Sequence, residues 1–372
     1  GWDAEGHSYN FVNETEINEV RDEAVKGLTT GSKVKILGTG QWLNSAIYYD
    51  DRYRPIQMIS ENHLGGQDIL SIENDFAGRD VKQFYRHTGG ESLTVLEEYE
   101  YDHAGRLLKT YHKINNQPRV LLCSLTYNER DEVVEKNVYS TNNGSSYLQS
   151  IDYTYNIRGW LEGMNSPLST AENDLFGMQF MYNDISAASS VASRPVGKRY
   201  DGNLSGTVWE RNHTDANMTA KQAYAYEYNT FDRLEEAFYG YKISSFSGGS
   251  NLFSVLNLQY DKNGNIENLN RYDNVTGNLN SEGIDLLTYT YDGNQLKTVT
   301  DSGSELGYNE NNVQMITEYD YDENGNVIED LNNEIVDIDY NYLDLPKRIE
   351  FDNGLVIEDR KSTRLNSSHP SR

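Results

Sequence analysis

The sequence predicts an all-β chain, an array of antiparallel β-hairpins, on three observations. Aromatic pairs two residues apart recur at Tyr99/Tyr101, Tyr153/Tyr155, Tyr226/Tyr228, Tyr289/Tyr291, Tyr319/Tyr321 and Tyr340/Tyr342. Residues at that spacing share one face of a strand. All but the last pair run straight into Asp or Asn, and several of those continue to a Gly, which ends the strand in a turn. The unit then returns at a nearly constant interval, which marks a repeat architecture.

The repeats can be followed in chain order. Tyr49-Asp50 opens the series, and Asn74-Asp75 followed by Gly78-Arg79 keeps the turn without the Tyr. Tyr101-Asp102-His103-Ala104-Gly105-Arg106-Leu107 is a full copy. Tyr127-Asn128 reaches Asp131, and Tyr155-Asn156 reaches Gly159-Trp160-Leu161. Tyr200-Asp201-Gly202-Asn203 and Tyr291-Asp292-Gly293-Asn294 use tighter turns, while Tyr228-Asn229 reaches Asp232. Tyr260-Asp261-Lys262-Asn263-Gly264-Asn265-Ile266 and Tyr321-Asp322-Glu323-Asn324-Gly325-Asn326-Val327 are again full copies. Asp at the first and Gly at the fourth position suits a type I turn whose fourth residue is left-handed and forms a bulge. Asp and Asn are the residues other than Gly that best tolerate that conformation. Positions 49, 74, 101, 127 and 155 lie 25 to 28 residues apart, and 200, 228, 260, 291 and 321 lie 28 to 32 apart. Rings from neighbouring hairpins are expected to stack into a ladder along one face, adding about 0.2–1 kcal/mol per cross-strand pair.

The array is expected over 34–358, with an irregular insertion at about 162–199, where the pattern fades into the Ser/Ala-rich stretch Ser186 to Ser193. Residues 1–33 form an upstream segment with no assignment. Residues 359–372 hold no Tyr and resemble a translated sequencing adapter, since GAT-CGG-AAG-AGC reads Asp-Arg-Lys-Ser, as at Asp359 to Ser362. They are read as adapter read-through rather than native protein, which makes the sequence a gene fragment.

Composition limits the function classes. A net charge of −26 leaves no basic stripe to neutralise phosphates, so nucleic acid is not an expected partner. No run of 18 apolar residues spans a bilayer. Tyr occurs 29 times against 10 Phe, which suits strand faces that are half packed and half wet. Cys123 is the single cysteine, excludes an intrachain disulfide and reads as a small hydrophobe.

No catalytic, cofactor-binding or metal residue is assigned. His7, His63, His87, His103, His112, His213 and His369 are dispersed, with no zinc-ligand spacing. Asp320, Asp322, Asn324 and Gly325 match the first half of a calcium loop, but the twelfth position falls on Leu331 and the turn explains the letters. Gly38-Thr39-Gly40 leads into Gln41-Trp42 rather than a helix, so it is no dinucleotide site. The abundance of carboxylates makes any glycosidase-like pair uninformative.

The Tyr-Asp-x-x-Gly-(Asn/Arg)-aliphatic unit resembles the hallmark of the RHS/YD-repeat family. The likeness runs from about Lys33 to Glu358 and is carried by Lys33 to Trp42, Tyr155 to Leu161, Tyr260 to Ile266 and Ile338 to Pro346. It implies a β-sheet ribbon that spirals into part of a hollow shell, in a secreted or cell-surface bacterial protein. In the family's toxins the shell encloses a C-terminal effector used in competition between bacteria, so the implied partner is the remainder of the same chain. The family's core cleavage motif, with its catalytic aspartates, does not occur here, and no enzymatic role is expected. The alternative is a carbohydrate-binding or adhesion module in which Trp42, Trp160 and Trp209 hold cell-surface glycans.

Overall fold

The computed structural model describes residues 9–36, 40–166, 174–184, 197–212, 221–243, 246–248, 252–273, 282–304, 306–308 and 317–358. Two compact units divide after Asp152, inside one strand. Each is built from antiparallel strands that pair with their neighbours in sequence.

In the first unit the strands are β1 (Gly31–Lys35), β2 (Trp42–Tyr49), β3 (Pro55–Glu61), β4 (Gln67–Asn74) and β5 (Asp80–His87). They are followed by β6 (Leu93–Tyr101), β7 (Leu107–Ile114), β8 (Val120–Tyr127), β9 (Val133–Ser140) and the first part of β10 (Gln149–Tyr155). Every consecutive pair is antiparallel. The core gathers Tyr9, Ala46, Ile59 and Ile69, with Val12 and Tyr48 packed against it.

From Tyr153 onward the second unit continues through β11 (Leu161–Met164), β12 (Phe176–Met181), β13 (Gly206–Arg211), β14 (Lys221–Tyr228), β15 (Leu234–Ile243) and the short β16 (Phe246–Gly248). Then come β17 (Val255–Tyr260), β18 (Ile266–Asp273), β19 (Glu282–Asp292) and β20 (Gln295–Asp301). A further sheet holds β21 (Tyr319–Tyr321), β22 (Val327–Asp330), β23 (Ile335–Tyr340), β24 (Pro346–Phe351) and β25 (Val356–Glu358). Met181, Val208 and Ala223 form a buried cluster where β12, β13 and β14 meet. Small Ala223 and Ala225 alternate with Tyr224, Tyr226 and Tyr228 on β14, so one face packs closely while the other carries rings.

Two boundaries differ from the sequence expectation. β11 and β12 carry the array into the segment expected to be an irregular insertion, and β12 pairs with β13 from Phe176↔Arg211 to Met181↔Gly206. The Tyr-Asp signature is absent there, yet the apolar alternation of Phe176, Met178 and Phe180 suffices for a strand. Ser186 to Ser193 lie outside the described residues, as do Gly38, Thr39, His7, His213 and 359–372. The upstream segment also has a place: residues 9–30 lie across strands of the first unit as a strap, and pairing starts at Gly31 rather than at 34.

The strap is held by side chains acting as surrogate strand partners. Gln57, 2% exposed, accepts the Val12 N–H at 2.8 Å and donates to the Val12 carbonyl at 2.9 Å and to Ser71 Oγ at 2.8 Å. Glu73 accepts the Asn18 N–H, and Glu19 accepts the Asn74 N–H. Arg86 pairs with the buried Glu14, and Lys113 reaches Glu16 at 3.4 Å. Buried donors and acceptors of an extended segment need such partners, because an unmet backbone group costs roughly 1–3 kcal/mol.

Candidate functional site: the turn ridge

The joints between β2 and β3, β4 and β5, β6 and β7, and β8 and β9 share one construction, and the same joint recurs in the second unit. At 102–106 the Asp102 N–H donates to the Arg106 carbonyl (2.9 Å) and the Gly105 N–H to the Asp102 carbonyl (3.0 Å). Asp102 Oδ1 accepts the Ala104 and Arg106 N–H groups at 2.9 Å each, while Oδ2 takes Arg106 Nε at 2.7 Å. One carboxylate therefore organises the whole bend. Gly105 sits at φ 89°, and the register slips by one residue between Glu100 and Tyr101, the bulge the sequence calls for.

Asp50, Asp75, Asp261 and Asp322 repeat the cage with Arg54, Arg79, Asn265 and Asn326 as fourth-residue donors. Asn128, Asn156, Asn229 and Asn341 repeat it with an amide oxygen. The N–H of Arg106, reinforced by its guanidinium and opposed by burial, holds the Asp102 carboxyl down to about 2. Asp75 is lowered in the same way, chiefly by the Arg79 N–H, and Asp322 chiefly by the Asn326 amide. This spent carboxylate also accounts for the calcium-like letters at 320–325: Asp322 already accepts from Asn324 and Asn326.

At seven joints the motif Tyr ties the turn to a neighbouring hairpin. Tyr101 donates its hydroxyl to the Asp80 carbonyl at 2.8 Å, and Tyr127 to Leu107 at 2.8 Å. In the second unit Tyr228 reaches Leu204 at 2.8 Å, Tyr260 reaches Leu234 at 2.7 Å, and Tyr291 reaches Ile266 at 2.9 Å. Tyr321 and Tyr340 do the same to Leu296 and Val327. The acceptors lie at the strand start just after an earlier turn. Burial raises the hydroxyl pKa of Tyr101, Tyr127, Tyr228, Tyr260, Tyr291, Tyr321 and Tyr340, which keeps these groups protonated and donating.

Arginines interleave the rings. Arg79 lies 4.9 Å from the Tyr101 ring centroid, Arg106 4.9 Å from Tyr127, Arg199 4.9 Å from Tyr228 and Arg233 5.6 Å from Tyr260. Arg54 also donates to the Asp75 carbonyl at 2.8 Å, and Arg233 to that of Asp261 at 3.1 Å. The ring ladder expected from the sequence is thus corrected at these joints. Successive motif rings lie a full hairpin apart, beyond ring-to-ring contact, and a guanidinium bridges the gap. Direct ring contacts, stacked between Trp209, Tyr224 and Tyr226 and tilted or edge-on to Tyr239 and Phe253, form around β13–β15 instead.

Other residues raised by the sequence fall apart from one another. Trp160 packs on Tyr182 at 4.9 Å with Arg158 over its ring, and Trp209 lies against Tyr224 and Tyr239, so both spend their faces on neighbours. Trp42, at the start of β2, is 44% exposed. Burial pushes the half-buried Cys123 thiol up, away from the reactive thiolate. His87 pairs with Asp68 at 2.6 Å on β4 and β5, while His63 and His103 are exposed at bends and His112 lies on β7. Among the described residues no group of three or more His, Cys, Asp and Glu is placed to hold a metal ion. No described helix is long and apolar enough to cross a membrane. A groove of about 780 Å³ beside the strap is lined by mixed charges, including Arg21, Asp22, Asp51 and Arg52.

Sequence reasoning missed Gln57, Asp285 and Glu318, all buried. Asp285 accepts the Tyr308 N–H and pairs with Arg271, and Glu318 accepts the Val299 N–H at 2.8 Å. Their only signal is an acid or amide within or next to a strand, which a solvated position would also give.

No family model matches the chain, and no curated protein matches it. Among solved structures it is similar to the crystal structure of TcdB2-TccC3-Cdc42, at 13% identity and a TM-score of 0.46, over 87% of this chain and 18% of that one. It is also similar to TcdB2-TccC3-TEV, at 10% identity and a TM-score of 0.28, over 77% of this chain and 16% of that one. A third is the Photorhabdus luminescens Tc holotoxin pore, at 9% identity and a TM-score of 0.24, over 85% of this chain and 22% of that one. The chain therefore spans less than a quarter of the length of each.

Proposed function

We propose that this chain is a structural wall segment of a secreted or cell-surface RHS-repeat protein of bacteria, without a catalytic role of its own. In this reading the repeats curl into part of a shell around a C-terminal effector used in interbacterial competition. The observation that carries it is the recurrent turn cage with its Tyr-to-carbonyl tie, which commits most polar groups of the ridge to the wall itself. A carboxylate that accepts two N–H groups and a guanidinium is unavailable as base or nucleophile. The same ties stiffen each hairpin against its neighbour, as a container requires.

The test is protease protection in the full reading frame as it exists in the source DNA. An attached C-terminal domain should survive digestion in the intact protein and be cleaved when Tyr101→Ala and Tyr260→Ala loosen the wall. Equal cleavage of that domain in both proteins, or a reading frame with no further domain, would overturn the proposal.

A further inference from the structure

Four Asn-Gly dipeptides lie in bends, at Asn143-Gly144, Asn263-Gly264, Asn324-Gly325 and Asn353-Gly354. An Asn before Gly is open to attack by its own backbone, because glycine places no Cβ beside the attacking nitrogen. The Gly nitrogen, once it has lost its proton, bonds to the Asn side-chain carbonyl carbon. The bond from that carbon to Nδ2 breaks, and ammonia leaves with the proton. Water then opens the cyclic imide to aspartate or isoaspartate. All four Asn are exposed, and the four glycines share a left-handed backbone, at φ 89°, 100°, 88° and 80°. Access and backbone conformation therefore do not tell the sites apart. The acceptor of the Gly N–H does.

Gly144 donates to Ser140 Oγ at 2.9 Å, and Gly354 to the Phe351 carbonyl at 2.9 Å, both neutral. Gly264 donates to Asp261 Oδ1 at 2.7 Å as well as to the Asp261 carbonyl at 3.2 Å. Gly325 donates to the Asp322 carbonyl at 3.0 Å. Asp322 Oδ1 takes the N–H groups on either side of it, from Asn324 at 2.9 Å and from Asn326 at 2.8 Å. The Asn326 amide, opposed by burial and joined by the Gly325 N–H, holds the Asp322 carboxyl below its ordinary value. An amide that sheds its proton beside such a carboxylate adds a second negative charge to the first, which like-charge repulsion opposes.

We infer that the caging aspartates Asp261 and Asp322 guard Asn263 and Asn324 against deamidation, and that Asn143 and Asn353 are the Asn-Gly sites at which this chain is modified. A neighbouring like charge that moves a pKa by about one unit makes the reactive amide anion about tenfold scarcer. The same carboxylate that closes the bend thus also suppresses the nucleophile inside it. The inference adds a chemical role to the turn and does not depend on what the wall encloses.

The test holds the whole chain at mildly alkaline pH and follows each Asn by peptide mass spectrometry. Asn143 and Asn353 should convert at least about tenfold faster than Asn263 and Asn324. Asp261→Asn and Asp322→Asn then remove the charge while leaving an amide oxygen to form the cage, as Asn128, Asn156, Asn229 and Asn341 do. In these variants conversion at Asn263 and Asn324 should rise about tenfold, with Asn143 and Asn353 unchanged. Hydrogen exchange at Asn265 and Asn326, whose N–H groups bond to the caging residue, should show the bend still closed. Equal conversion at the four sites in the wild-type chain would overturn the inference whatever the variants do. Unchanged conversion at Asn263 and Asn324 in the variants, or a rise seen only where the bend has opened, would overturn it as well.

Discussion

Replacing Tyr101 by Phe removes one atom from the ridge and leaves its ring in place. The lost hydroxyl donates to the Asp80 carbonyl at 2.8 Å, and the retained ring still lies 4.9 Å from the Arg79 guanidinium. A neutral hydrogen bond at a half-buried site contributes about 0.5–1.5 kcal/mol net, and water can reach the freed carbonyl, so the expected loss is about 1 kcal/mol. Tyr101→Ala also removes the ring. Full burial would make that worth about 3–5 kcal/mol; half-burial and the loss of the guanidinium contact place the total near 3 kcal/mol. Urea denaturation reads both. With a slope of about 3 kcal/mol per molar, Tyr101→Phe should lower the midpoint by about 0.3 M and Tyr101→Ala by about 1 M, with unchanged slope. A double-mutant cycle with Arg79→Ala should give a coupling of about 0.5–1 kcal/mol that survives in the Phe background. If Phe costs as much as Ala, or the coupling disappears with the hydroxyl alone, ring and guanidinium are not acting together and the account of the joint is wrong.

Other expectations concern titration and the strap. Asp75, Asp102 and Asp322 have folded carboxyl pKa values below the ordinary 3.8, so the stability they add is present above that value. It is lost as pH falls through the folded values, about 2 for Asp102. Thermal midpoints should therefore drop steeply between pH 4 and 2, and Asp102→Asn should flatten part of that drop. The tyrosines act at the other end. Their folded pKa values lie above 10.0, so their contribution is complete below 10 and declines as pH rises through the folded values. Alkaline unfolding should start near pH 10 and shift in Tyr101→Phe, as followed by tyrosinate absorbance. Gln57→Ala should free the strap by removing its bonds to Val12, giving new proteolytic cuts within residues 9–22 before any within β3; cuts appearing together in both would count against the strap as a separable layer.

The parts of this fold that were legible in sequence are those where one residue type does one local job. Asp or Asn starting a bend and Gly ending it are dictated by backbone geometry within five residues, so the joints at 101–107, 260–266 and 321–327 fall where the letters place them. The neighbour contacts were less legible. Arg79 over Tyr101 depends on the strand spacing between two hairpins, and sequence alone suggested ring on ring. The strap was invisible for a related reason. Residues 9–30 have no strand period, and the groups that hold them, Gln57, Glu73 and Arg86, are scattered along three strands. β12 was missed because its repeat letters had been replaced by Phe and Met, which pack equally well but carry no turn signature.

The strap also sets an order on synthesis. Each hairpin needs only the one made before it, so strands can settle as they leave the ribosome, with little waiting for distant chain. Residues 9–22 are made early yet cannot dock until Arg86 and Lys113 exist to receive Glu14 and Glu16. The earliest stretch of the described chain thus waits for strands as late as β7, and it closes over a surface that its own successors have to build.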